Sequence, residues 1–545
     1  MTAILTDHSA GLVGEPGNRD GFGRLLRAEW TKFRTVRGWM IGLIVAAILT
    51  VGLAWLTAAG STIGCSNGSG TVQLTGRACL PPVPIGPGGE AVNDSFYFVR
   101  QSLTGNGSIT VAVTSFTGRH IAGNGVGRVH AVGTGQGGLV SGTGPWSKAG
   151  IIIKQSTKPG SAYAAMMVTG SHGVRMQYDY VSDIAGLPGR PSSPAPRWLR
   201  LVREGDTIAG YDSADGIHWA RVGTATLAGL SRVVQVGLFA TSPQDFRVQS
   251  SFGGQSVQGG PSLATGVFDH VRLSGAVNGT WTGGNVGSSP SAGPPDLGSG
   301  FHASAGTFAV SGSGDIGPIV PGPGGGWYPT AAIEQNLAGA FIGLIAILVV
   351  AAMFFTAEYR RGLIRITLAA SPRRGQVLAA KAIVAGLVTF AVGLVAVIVS
   401  IAVGVRQMRS QGLYVLPVSA LTEARVIVGT AAMLGVMAVF AVALGAVLRR
   451  SAITITVAIV AIVLPFLFAA LNIFPYDVTN WLLRVTPAAG FAIEQSIPHY
   501  SQVNSLYQPA NGSYPLPPLA GFAVLCAWTA AALMLALILL RRRDA

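Results

Sequence analysis

The sequence predicts a polytopic α-helical membrane protein with six transmembrane helices and both termini inside, carrying an all-β sandwich as an extracytoplasmic domain. Three observations predict this. Only 11% of the 545 residues are charged and 49% are hydrophobic, whereas ordinary soluble domains are roughly 25% charged. The apolar residues gather in six runs, 39–59, 337–357, 382–405, 426–448, 452–474 and 519–540, none of which contains Asp, Glu, Lys, Arg or His. Each is about the length needed to cross a hydrocarbon core, roughly 20 residues. Between the first two runs, residues 60–336 change to short segments of alternating polarity with Gly-rich turns, the period of strands.

In chain order, the first twenty residues are polar, Gly-rich and aperiodic, which predicts disorder. Residues 24–37 repeat Leu26, Trp30 and Phe33 at helical spacing, with Arg24, Arg27, Lys32 and Arg34 on the other sides. This reads as an interfacial helix whose aromatic residues sit at headgroup depth. The run at 39–59 is too long for a signal-peptide core and has no small-residue cleavage site, so it reads as a retained span. Orientation follows from the cations, since basic flanks stay inside. Basic residues precede the first span, follow the second, separate the fourth from the fifth as Arg449 and Arg450, and end the chain as Arg541, Arg542 and Arg543. Residues 60–336, 406–425 and 475–518 are then outside; 406–425 carries three Arg, partly offset by Glu423.

Within the outer region the strand pattern covers about 90–275, with segments such as SITVAVT at 108–114, AGIIIK at 149–154 and WLRLVR at 198–203. Many short strands without an intervening helix predict a β-sandwich. Residues 118–144 read as a long inserted loop, and 274–326, rich in Gly, Ser and Pro, as a linker back to the membrane, with a possible ordered island at 306–318. Cys65 and Cys79 are candidates for a disulfide, because the outer side permits oxidation; Cys526 is a small packing residue in the last span.

The segment EYRRGLIRITLAASPRRGQVLAAK at 358–381 organises the rest. Its first half places Leu363, Ile364, Ile366 and Leu368 among Arg360, Arg361 and Arg365, the pattern of a short amphipathic helix. In its second half Ser371 is an N-cap candidate with Pro372 at the first helical position.

Several chemistries are excluded. The five lysines, Lys32, Lys148, Lys154, Lys158 and Lys381, none preceded by Gly, leave no phosphate-cradling P-loop. The string GTGQGG at 133–138 lacks a preceding strand and a following helix, so it is no dinucleotide fingerprint. No HExxH or Cys and His cluster points to a metal. Much of the charge behind the net +15 flanks the spans, where it sets topology and meets membrane lipid, rather than forming a nucleic-acid footprint. The charge-free spans also argue against an ion-coupled carrier, which needs ionisable groups at membrane depth. In the outer domain Trp146, Trp198 and Trp219, with Tyr178, Tyr180 and Tyr211, suit either the sandwich core or a flat platform for a sugar ring.

The layout of LLRAEWTKFRTVRGW, one span, an outer segment, a second span ending in FFTAEYRRGLIRITLAASPRRGQVLAAK and four further spans resembles the permease subunits of bacterial ABC-2 type transporters. The resemblance covers about 24–59 and 337–543. It implies a homodimer or heterodimer of permeases in the bacterial plasma membrane, working as an exporter with a separate cytoplasmic ATP-binding cassette ATPase. ATP and magnesium would be held by that partner, leaving this chain without a cofactor or a catalytic residue. It further implies that Glu358, Tyr359, Arg360, Arg361, Arg365, Arg373 and Arg374 couple to the ATPase, with the helix at 24–37 beside them. The long outer segment departs from the short connection of such permeases. Its strands and the turn SADGIHW at 213–219 resemble concanavalin A-like, laminin-G-like sandwich domains. A membrane-anchored glycan-binding or surface-sensing receptor is the alternative reading.

Overall fold

A computed structural model describes residues 21–60, 64–67, 70–75, 82–121, 139–251, 254–287, 297–322, 330–360, 373–471, 473–505 and 507–542. The helices are α1 (Gly21–Thr35), α2 (Arg37–Gly60), α3 (Ala338–Arg360), α4 (Arg374–Ser410), α5 (Ala420–Leu448), α6 (Ser451–Ala470), α7 (Tyr476–Val485) and α8 (Pro518–Arg542). Six of these, α2 through α6 and α8, are long and apolar enough to cross a membrane. They form because each apolar run buries its backbone hydrogen bonds within itself, the condition for crossing a bilayer.

Small residues let the helices close on one another. A methyl group at Gly339 of α3 would lie 2.1 Å from the Thr50 carbonyl oxygen of α2, and one at Gly343 would lie 2.8 Å from that of Ala46. Gly386 of α4 and Gly435 of α5 face each other in the same way. The helical hydrogen-bond spacing widens within α6, which has a π-type turn at Ile459–Val463 just before Pro465. Proline cannot donate a backbone hydrogen bond, and a wide turn absorbs the missing donor.

Two expectations about the helices are corrected. The helix entering the third span starts at Arg374 with Arg373 in the capping position, so Ser371 does not cap it; Ser371 itself lies outside the described residues. The segment 475–518 is not a plain outer loop. It contains amphipathic α7 and then a 3-10 segment, Pro487–Glu494, whose eight residues are all buried. Too short and too small-sided to read as a span, this segment fits tightly: a methyl group at Gly521 of α8 would lie 2.3 Å from the Ala489 carbonyl oxygen.

The β-rich region follows α2 and precedes α3. Its principal strands are β1 (Phe96–Ile121), β2 (Lys148–Lys154), β3 (Tyr163–Thr169), β4 (Val174–Tyr178), β5 (Arg197–Glu204), β6 (Thr207–Ser213), β7 (Ala220–Thr226), β8 (Val233–Thr241) and β9 (Ser262–Val286). All pairings among them are antiparallel, in the order β7, β6, β5, β1, β8, β2, β3, β4. The long β1 bends so that its first half pairs with β8 and its second half with β5, and the sheet folds back to lay β5 against β2 and β3. Along β5 alternate residues are buried, whereas β2 and β3 are buried throughout. The reason lies in their alternation: Ile151 and Ile153 enter the main core with Leu199 and Leu201, while Ile152 enters a second core with Phe96, Phe98 and Phe239.

The linker reading of 274–326 is overturned. β9 continues to Val286, paired with β1 as far as Phe96, and strands at Gly300–Ser304, Thr307–Gly312 and Ile316–Pro318 follow. Glycine and serine there serve bulges and hairpin turns rather than flexibility; Gly275 and Gly279 adopt φ +101° and +92° at two of the register shifts. Residues 118–121 likewise belong to β1, and 122–138 lie outside the described residues.

Two buried lysines pin this domain together. Lys154 lies 2.8 Å from Asp94 and donates to the Tyr180 hydroxyl at 2.9 Å, and Lys148 lies 2.9 Å from Asp315. The domain rests on the helix bundle through a parallel pair of short strands, Thr330–Ala331 with Tyr414–Val415. It also does so through Gln502, whose amide donates to the carbonyls of Tyr180 and Val181, and Asn504, which donates to that of Gln244.

Candidate coupling site at the basic end of the bundle

The end of the bundle away from the β domain gathers α1, the last turn of α3, the first turns of α4 and the last turn of α8, where Arg374 donates to the Leu540 carbonyl at 2.8 Å. Amphipathic α1 lies across it with Phe33 buried at 2% exposure. Phe33, Trp39 of α2 and Phe354 of α3 form an aromatic knot with ring centroids 5.0 to 5.9 Å apart. The ammonium of Lys381 on α4 sits 4.7 Å from the Phe354 ring centroid.

Above this knot four charges close into a ring. Lys32 contacts Glu29 at 2.9 Å and Glu358 at 3.2 Å, and Lys381 contacts the other oxygen of Glu29 at 2.7 Å and Glu358 at 2.7 Å. Each ammonium touches both carboxylates, so the cluster is neutral. The side chains of Glu29 and Lys381 are sealed, that of Glu358 is nearly so, and that of Lys32 is 41% exposed. Partial burial of Lys32 works against its charge, but the two carboxylates outweigh it and hold its ammonium above its ordinary value. The ring ties α1, α3 and α4 to one point.

Glu358 therefore faces inward. Tyr359 packs on Phe355, at 5.7 Å between centroids, and under the Arg449 guanidinium, at 5.2 Å. Its hydroxyl is buried with no hydrogen-bond partner among the described residues. Arg373 is exposed and Arg374 half-buried. The Arg360 side chain, Arg361 and Arg365, with the amphipathic stretch 361–372, lie outside the described residues. On α1, Arg27 and Trp30 are exposed and Lys32 and Phe33 turn inward. Sequence reasoning missed Glu29 altogether. Its one signal was position: Lys32 and Phe33 follow at the third and fourth residues, on the same helical face.

The aromatic residues of the β domain fall at two places. Trp146 is buried and stacked on His172, with centroids 3.9 Å apart. Trp198 and Trp219 meet at Gly216, where Trp219 donates to the Gly216 carbonyl and Arg200 covers its ring at 4.0 Å. Cys79 lies outside the described residues, and with it the bridge to Cys65.

The chain is distantly similar to parts of several solved structures. A mutant of the GH43 protein BlXynB from Bacillus licheniformis is 15% identical over 25% of this chain and 24% of its own, with a TM-score of 0.17. A functionally unknown protein from Saccharomyces cerevisiae is 14% identical over 37% of this chain and 85% of its own, with a TM-score of 0.21. A scytalido-glutamic peptidase is 6% identical over 42% and 100%, with a TM-score of 0.22. At such scores none carries an argument. No curated protein matches. The family model described as ABC-2 family transporter protein matches residues 207–545, from β6 to the end of the chain. That is well over half of the sequence and takes in five of the six apolar helices, so the chain belongs to the ABC-2 transporter family.

Proposed function

We propose that this membrane permease of an ABC transporter is driven by a separate cytoplasmic ATP-binding cassette ATPase that grips residues 361–372 and the exposed face of α1. The observation that carries this reading is the four-charge ring. A pull on either the loop after α3 or on α1 reaches the same point, and the sealed ion pairs pass it to α3 and α4 together. In this reading Glu358 and Tyr359 transmit the force, while Arg360, Arg361, Arg365, Arg373 and Arg374 supply the cationic contact surface. The basic end is then cytoplasmic and the β domain extracytoplasmic, in the plasma membrane of a bacterium. Export, the pairing of two permeases, and the concanavalin A-like character of the β domain rest on the resemblance of the sequence.

The test is co-purification in mild detergent with the ATPase encoded beside this chain, comparing wild type with Arg361→Ala and Arg365→Ala. An ATPase recovered with the wild type and lost from the variants supports the reading; no ATPase under any condition overturns it. A second reading, a glycan-binding receptor, is favoured by the meeting of Trp198 and Trp219 at Gly216. Oligosaccharide binding by the full chain that disappears in Trp219→Ala would support it.

A further inference from the structure

Two carboxylates are buried at the end of the bundle nearer the β domain. Glu334, in the 3-10 turn that leads into α3, is 6% exposed, and Glu494, the last residue of the segment 487–494, is 5% exposed. Both line one cavity of about 220 Å³. Four aromatic residues, Phe341, Phe466, Phe491 and Tyr514, share its remaining walls with smaller and aliphatic residues. The three phenylalanines form a continuous surface, with centroids 4.2 Å apart for Phe466 and Phe491 and 4.7 Å for Phe341 and Phe466.

The two acids are not equivalent. Glu334 accepts hydrogen bonds from the Ser496 hydroxyl and, at 3.4 Å, its backbone N–H, and it interacts electrostatically with Arg425. The Arg425 guanidinium donates to the carbonyls of Ile493 and Gln495, at 3.0 and 2.6 Å, on either side of Glu494 but not to Glu494 itself. Oε1 of Glu494 is sealed from solvent and has no hydrogen-bond partner among the described residues. With both carboxylates ionised and Arg425 balancing one, the group is one positive charge short of neutral. An unpaired buried carboxylate costs several kcal/mol unless it takes a proton or a counter-charge reaches it; burial, with Glu334 beside it, pushes Glu494 well above the usual carboxylate range, so a bound cation would take the place of that proton.

We propose that this cavity binds an organic monocation, an amine or quaternary ammonium on a small apolar body, with Glu494 as its counter-ion and the phenylalanine surface as its wall. Ammonium groups are attracted to aromatic faces most strongly where water is excluded. Calcium or magnesium fits poorly, because each needs six or more oxygen ligands. Among the described residues no third His, Cys, Asp or Glu joins the pair. The site belongs to this chain alone and does not depend on an ATPase, so its failure and that of the coupling reading are separable.

The test is isothermal titration of the full chain in lipid nanodiscs, without nucleotide, using 2-phenylethylammonium and its neutral counterpart 2-phenylethanol. The expected result is binding of the ammonium about tenfold or more tighter than the alcohol, with the difference abolished in Glu494→Gln. Phe466→Leu, which keeps the wall apolar, is expected to weaken the ammonium several-fold and leave the alcohol unchanged; it tests the site even if Glu494→Gln fails to fold. Equal binding of ammonium and alcohol by the wild type, or undiminished ammonium binding in either variant, overturns the proposal. Comparing nanodiscs of phosphatidylglycerol with and without phosphatidylethanolamine separates the two sources of such a group. Competition by the ethanolamine lipid makes the ligand a lipid headgroup, and no competition makes it a free amine; both support the site.

Discussion

Lys381 and Glu29 are 352 positions apart in the sequence and 2.7 Å apart in space, both sealed from solvent. Each also belongs to a second pair through Glu358 or Lys32, so neutrality is a property of the ring rather than of one bond. Glu29→Gln removes one charge without changing shape and leaves two ammoniums around a single carboxylate. Removing one partner of a buried pair costs about 3–5 kcal/mol. Lys381→Met is expected to cost a similar amount, and the double variant, neutral again, less than the sum by about 1–3 kcal/mol. Thermal unfolding of the four proteins in detergent measures the coupling; strict additivity would show that the pair is not formed.

The β domain offers a parallel case. Lys154→Met leaves Asp94 buried, with the Tyr180 hydroxyl and the Gly160 N–H still donating to it but no cation beside it. The expected loss is about 3–5 kcal/mol, confined to this domain. Limited proteolysis should cut the variant earlier within residues 82–322 while the helix bundle stays protected.

Helix contact through glycine makes a sharper contrast. Gly339→Ala places a methyl group 2.1 Å from a backbone oxygen that cannot rotate away, so α2 and α3 must separate, at a cost of about 1–3 kcal/mol. At Gly52, in α2, a methyl group meets nothing within 4 Å. Gly52→Ala is expected to be neutral or to stabilise by up to about 1 kcal/mol. Melting temperatures of the two variants should move in opposite directions or differ by the larger cost.

The turn at 213–219 carries a pH signature. The Asp215 carboxylate lies 2.7 Å from the His218 ring nitrogen and also accepts the backbone N–H groups of Ile217 and His218. These contacts, the His218 hydrogen bond first, hold Asp215 well below the usual carboxylate range, and Asp215 raises His218 above its ordinary value of 6.5. A raised histidine contributes fully below 6.5 and loses its contribution as pH rises through the folded-state value. The depressed Asp215 contributes above its ordinary value of 3.8 and is lost only in stronger acid. The pair therefore orders the turn from about pH 4 to just above the ordinary histidine range. Carbon-13-labelled histidine should show the His218 midpoint above 6.5 in the wild type and back near it in Asp215→Asn.

The apolar runs were legible because a helix in lipid needs only length and the absence of charge, both local properties. The strand at 198–203 was legible from alternation, and that at 149–154 as a short run of Ile bounded by polar and turn residues. Glu494 was not: the segment PAAGFAIE is too short to cross a membrane, and only its close fit against Gly521 buries it. Nor was the second half of β9, where SGAVNGTWTGGN has the composition of a linker and is held extended by pairing with β1. The partner of Glu29 was beyond reading for the same reason, since Lys381 meets it through the packing of α1 on α4.

Of the five lysines in the chain, Lys148, Lys154 and Lys381 are enclosed in ion pairs and Lys32, partly exposed, is held between two carboxylates, which leaves Lys158 exposed and outside these pairs. Amine-directed reagents applied to the folded protein would thus decorate the β domain at Lys158 and leave the lysines of the ring largely untouched. Cross-linking maps of its assemblies need arginine- or carboxylate-directed chemistry at the basic end.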